Sequence, residues 1–128
     1  MKLTRVSVFL VLTFALVFIA AGFQTVWAQQ QQPPAGVSFA KVGPIFQNRC
    51  AVCHSGPKAP KGLRLDTYEN TIKGGNEKVV VPGDPGKSEI LQRVTGAKTP
   101  RMPRGGPPWL SQPETALIEE WIATGARP

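Results

Sequence analysis

Cys50, Cys53 and His54 carry the plainest chemistry of this chain: two thiols three positions apart, with an imidazole directly after the second. On a helical turn, residues three apart share a face, so both sulfurs can reach the two vinyl groups along one edge of a porphyrin. The next residue then directs its imidazole at the iron. This is the c-type haem attachment pattern. Cys50 and Cys53 are therefore the expected thioether anchors, His54 the expected proximal ligand, and one covalent haem c the expected cofactor.

Three other chemistries use similar residues. A thioredoxin-like redox pair needs a strand-helix setting resembling a βαβ unit, and none surrounds Cys50. Zinc takes four ligands, whereas the chain has two Cys and one His. A disulfide between thiols this close would enclose too small a loop to stabilise much. Haem attachment fits best.

The sixth position on the iron is narrowed by composition. A second His is excluded because His54 is the only one. Met1 belongs to the leader, which leaves Met102 as the remaining thioether. A Met usually fills a core, but Pro100-Arg101-Met102-Pro103 is proline-rich and polar, without apolar periodicity. Such a segment suits a rigid loop that presents one side chain across the haem, and Met102 is the expected distal ligand. Lysine, water and an open position are the alternatives.

At 128 residues the chain has room for one domain. Thirteen prolines and thirteen glycines point to a loop-rich fold, in which a covalent haem would supply much of the apolar interior. The net charge is +7 and stays basic without Lys2 and Arg5. The basic residues are scattered and lack interleaved aromatics, which argues against a nucleic-acid partner. A modest positive field that steers an acidic redox protein fits better.

Two charges in Met1–Arg5 precede an apolar run from Val6 to Phe23, and Val26-Trp27-Ala28 offers small residues for cleavage. That order predicts a signal peptide over residues 1–28. The run is also just long enough to serve as an uncleaved anchor in the inner membrane. Both outcomes place the rest in the periplasm or beyond, where haem attachment occurs in systems that resemble this one. Residues 29–37, with four Gln and two Pro, read as a flexible linker.

The domain proper is expected over 38–127, and its elements must position these groups. Ser38 is a possible N-cap. Val42, Ile45, Phe46 and Arg49 recur at helical spacing, and the helix that delivers the cysteines is expected from Pro44 to about Ala51. Ser55 to Gly62 reads as a loop. Leu63 and Leu65, alternating around Arg64, form an extended piece that can cover one haem face. Asp66 is the expected N-cap of a short helix over 67–73, with Tyr68 and Ile72 inward. Tyr68 could donate to a haem propionate, but packing is the safer role. Val79 to Val81 is a brief extended run, followed by a turn over 84–88. A helix from Ser88 to Val94 ends at Gly96, and residues 98–109 favour no regular element. Ser111 and Glu114 form a capping box for a last helix whose stripe is Leu117, Ile118, Trp121 and Ile122. No internal repeat is present. Phe46 and Trp121, the large residues of their stripes, are expected to meet.

Several blocks together resemble the planctomycete-type cytochrome c domain family. They are the Pro44-Ile45-Phe46 helix leading into Cys50-Ala51-Val52-Cys53-His54-Ser55-Gly56, Gly62-Leu63-Arg64-Leu65-Asp66, and Pro82-Gly83-Asp84-Pro85 with Ser88. Met102-Pro103, Leu110-Ser111 and Trp121-Ile122-Ala123-Thr124-Gly125-Ala126 extend the likeness to about residues 38–127. The haem motif is common to all c-type cytochromes, and the other blocks narrow the assignment. The resemblance implies a mainly α, small class I-like cytochrome c domain, with long loops around a covalent haem and crossing first and last helices. It implies His54 and Met102 as axial ligands.

The expected function is an exported mono-haem electron carrier serving redox partner proteins. The alternative is a haem sensor or peroxidase-like protein with an exchangeable sixth ligand. An enzyme of that kind needs a distal acid-base group such as a second His, which favours the non-enzymatic carrier.

Overall fold

The computed structural model describes residues 36–128. The leader expected over 1–28 and nearly all of the expected linker lie outside them. Four α-helices are present among the described residues: α1 (Phe39–Arg49), α2 (Tyr68–Lys73), α3 (Glu89–Thr95) and α4 (Gln112–Ala123). Two short 3-10 turns, Pro60–Gly62 and Pro85–Lys87, complete the regular structure. The described β pairing is one isolated bridge between Ser38 and Arg127. The fold is thus mainly α, as expected.

Helix α1 starts five residues before the expected Pro44 and ends two before Ala51. Pro44 lies inside it, where the missing N–H leaves the Ala40 carbonyl without its helical partner. Ala40 and Pro44 are both exposed, so water can serve that carbonyl. The extra turn is held from outside. Phe39 N–H donates to the Arg127 carbonyl at 2.9 Å, and the Phe39 ring lies 5.9 Å from Phe46, 5.5 Å from Tyr68 and 5.8 Å from Trp121. Tertiary packing thus overrides the local cost of proline. Tyr68 meets Phe39 edge-on and is half-buried, a packing role.

Helix α2 is capped by Thr67 rather than Asp66: the Thr67 hydroxyl accepts from Asn70 N–H at 3.2 Å. Asp66 instead takes Arg64 at 2.6 Å and the Asn70 side chain at 2.8 Å. These bonds, Arg64 first, hold its carboxyl below the usual range. Helix α3 begins after Ser88, whose buried hydroxyl accepts from Val81 N–H and donates to the Asp84 carbonyl, each at 2.9 Å. Ser88 therefore joins the extended run to the turn before α3. Gly96, left-handed at φ 89°, ends α3.

The expected capping box on α4 is formed in both directions. Its inward residues Ile118, Trp121 and Ile122 join Val42 and Phe46 of α1, Ile90, Leu91 and Val94 of α3, and Leu65, Val80 and Leu110 from the loops. Phe46 and Trp121 meet T-shaped with centroids 5.9 Å apart, so the expected contact between the first and last helices exists. Trp121 Nε1–H also donates to the Arg127 carbonyl at 2.8 Å, the acceptor used by Phe39. That one carbonyl ties α1 to the end of the chain. Trp121→Ala removes a wholly buried indole and this bond. It should cost about 3–5 kcal/mol, measured by denaturant unfolding, and an unchanged midpoint would refute the role given to this contact.

Candidate haem site

The site grows out of the end of α1. Cys50 and Ala51 both donate to the Phe46 carbonyl at 2.9 Å, and Cys53 and His54 both donate to the Cys50 carbonyl, at 3.1 and 2.8 Å. The chain therefore makes one further turn past Arg49, and Cys50, Cys53 and His54 share it. Ala51 points inward and is buried, whereas Val52 is 85 % exposed. Cys50 is half-buried and Cys53 exposed, and both sulfurs are free of disulfides. Burial pushes the Cys50 thiol up to about 11, against a smaller opposing pull from the Arg49 charge.

His54 is held on one side only. Its Nδ1 lies 3.1 Å from the Leu63 carbonyl, which can only accept, so the bond places the proton on Nδ1. In the neutral ring this leaves the Nε2 lone pair free for a metal, the usual arrangement for a ligating His. Leu65 N–H returns a bond to the His54 carbonyl at 2.8 Å. Segment 63–65 thus brackets the histidine rather than merely covering a face. Gly75 fixes that segment from behind, because a Cβ there would come within 2.7 Å of Leu63 N. Asn76 N–H adds a bond to the Lys61 carbonyl at 2.9 Å. Two free thiols and an imidazole with its outer nitrogen unspent fit a covalent haem.

Met102 stands on a separate segment and is half-buried. Its N–H donates to the Arg93 carbonyl on α3 at 3.0 Å. Arg101 Nε reaches the Val94 carbonyl at 3.3 Å, and the Arg101 guanidinium lies 4.7 Å over the Trp109 ring. The far end of the segment returns to α1, where Arg49 Nη2 donates to the Pro108 carbonyl at 2.7 Å. The loop carrying Met102 is thus suspended between α3 and the residue that precedes Cys50. Lys98, the lysine nearest Met102 in the sequence, is engaged elsewhere: its Nζ pairs with Glu89 at 2.7 Å. The same carboxyl binds Arg93 at 2.8 Å, and these partners, Lys98 first, hold Glu89 below the usual range.

Two contributors were not legible in the sequence as parts of the site. The Leu63 carbonyl is backbone and leaves no side-chain signal. Arg49 stood out only as a residue at helical spacing, although a fork-shaped donor directly before the first cysteine is a signal that could have marked it.

A small helical domain whose first helix runs into two thiols and an oriented imidazole presents the donor set that c-type cytochromes use. Within that class, residues 50–106 match the model of the family described as Planctomycete cytochrome C, the family that the sequence blocks resemble. The matched stretch runs from the haem turn through the Met102 loop, and haem c is the cofactor of that family. The like blocks on α1 before Cys50 and on α4 lie outside it. The chain matches no curated protein and no solved structure.

Proposed function

We propose that this cytochrome is an exported, non-enzymatic electron carrier with one haem, bound through Cys50 and Cys53 and ligated by His54 and Met102. The observation that carries the reading is the His54–Leu63 bond, which leaves Nε2 free in the same turn as both thiols. A haem bound there supplies a one-electron couple. Leu63 would set the ring angle and basicity of His54, and Met102 would close the opposite position. The only His being engaged at Leu63, the chain offers no second imidazole for distal acid-base work. Among the described residues, no helix is long and apolar enough to cross a membrane. Anchoring, if the leader stays uncleaved, would fall to residues 6–23. The basic balance suits an acidic redox protein as partner.

The test is made on protein recovered from the periplasm. Acid and organic solvent should leave the haem on the polypeptide, and mass spectrometry should show one haem on a chain cut after Ala28. The ferric spectrum should change little on adding cyanide, as expected of a closed carrier. Haem that extracts freely would end the attachment reading, and rapid cyanide binding would favour the sensor or peroxidase-like alternative.

A further inference from the structure

We infer that Arg49 is a positioning residue that straps the Met102 loop to the haem turn and so keeps the sixth position of the iron closed; this rests on the His54/Met102 ligation proposed above. Between Val94 and Leu110 no residue is buried, so hydrophobic burial does little to hold the loop in place. Segments of that kind open locally at low free energy, and their position depends on a few polar ties. Those at the near end, from Lys98 N–H, Met102 N–H and Arg101 Nε and from Arg93 Nη1 to the Pro100 carbonyl, bind the loop to α3. Arg49 alone among these ties joins it to the helix that carries the cysteines.

The geometry of the strap is specific. Arg49 Nη2 donates to the Pro108 carbonyl at 2.7 Å, while Nη1 lies 3.6 Å from Glu114 Oε1. Glu114 is itself fixed, since its Oε2 accepts from Ser111 N–H at 2.7 Å and from the Ser111 hydroxyl at 2.8 Å. One guanidinium fork thus joins three pieces: the end of α1 beside Cys50, the end of the Met102 loop, and the first turn of α4. A planar fork holds two acceptors in a fixed geometry, which the rotatable ammonium of a lysine does not. Releasing Pro108 frees the loop on the side nearest the haem turn, and the Met102-off state becomes more populated.

The experiment measures cyanide association and the reduction potential of the haem-loaded protein, with the parent, Arg49→Gln, Arg49→Lys and Met102→Ala side by side. Arg49→Gln should raise the cyanide rate about tenfold. That is the low end for a charge-assisted hydrogen bond, because the Arg49 side chain is 26 % exposed. The weak red charge-transfer band of thioether-bound ferric haem should fade in proportion. Arg49→Lys keeps the charge but loses the fork, and should recover about half of the effect on a logarithmic scale. A purely electrostatic influence of Arg49 would instead leave the lysine variant like the parent in both measurements. A parental cyanide rate in Arg49→Gln overturns the strap. If Arg49→Gln fails to accumulate, Arg49→Lys decides: a rate clearly above the parent supports the strap, and a parental rate overturns it. If the parent already binds cyanide as fast as Met102→Ala, the ligation reading fails first and the strap with it. Failure of the strap alone leaves a closed parent and an open Met102→Ala.

Discussion

Cys50→Ala and Cys53→Ala should each reduce covalently held haem to background, the largest effect expected of any single change in this chain. Each thioether forms when a thiol adds across a porphyrin vinyl group, the sulfur bonding to one carbon and a hydrogen ending on the other. The two cysteines meet this reaction in different settings. Cys53 is exposed, whereas Cys50 is half-buried, with its thiol pushed up to about 11 by burial, so it enters the reaction protonated at neutral pH. Both are fixed by the same turn, through bonds to the Phe46 and Cys50 carbonyls. In the proposed site, loss of either sulfur would remove one of the two anchors that hold the haem beside His54. A ligand that binds only the folded state stabilises it by mass action, and the variants should therefore also unfold at lower temperature than the haem-loaded parent. The measurement is acid-solvent extraction followed by mass spectrometry of periplasmic protein. A Cys53→Ala chain that retained a full covalent haem would refute the assignment.

The parts of this structure that could be read from sequence are those fixed by local patterns. The capping box of α4, its apolar stripe, the stop at Gly96 and the irregular Met102 loop all follow from neighbouring residue types. The meeting of Phe46 with Trp121 followed from their stripe positions together with the helix crossing that the family resemblance implies. What escaped depends on contacts distant in the chain. Phe39 was invisible as a keystone because Pro44 marks a helix start on local grounds, while its actual ties run to Tyr68, Trp121 and Arg127. The N-cap of α2 shifted to Thr67 because Asp66 found a guanidinium in Arg64. In the site, residue types marked the candidate ligands, but the orientation of His54 is set by a backbone carbonyl nine residues on. A carbonyl is present at every position, so composition carries no trace of it.

Met102→Ala should lower the reduction potential and open the iron to cyanide in the same protein. A neutral thioether stabilises ferrous over ferric iron relative to a harder donor, which is why His/Met ligation raises the potential. Axial ligation commands a range of about 0.8 V, so the fall should be on the order of 0.1 V or more, beyond the reach of one surface charge. The loop itself should survive the change. Its ties use the Met102 backbone N–H, the Arg101 side chain and the Pro108 carbonyl, none of which the substitution removes. The expected product is therefore a haem whose sixth position is open to water and to cyanide. Met102→His should lower the potential as well but keep the iron closed, which separates the nature of the ligand from its presence. Lys98 is the natural substitute ligand, yet its ammonium is paired with Glu89 at 2.7 Å and would have to leave that carboxylate and lose a proton. Glu89→Gln in the Met102→Ala background should loosen that hold and slow cyanide binding if lysine then competes. The readouts are a redox titration and cyanide-binding spectra across the set. A Met102→Ala protein with the parental potential and no affinity for cyanide would show that Met102 is not the ligand, and Lys98→Ala would then be the variant that identifies what is.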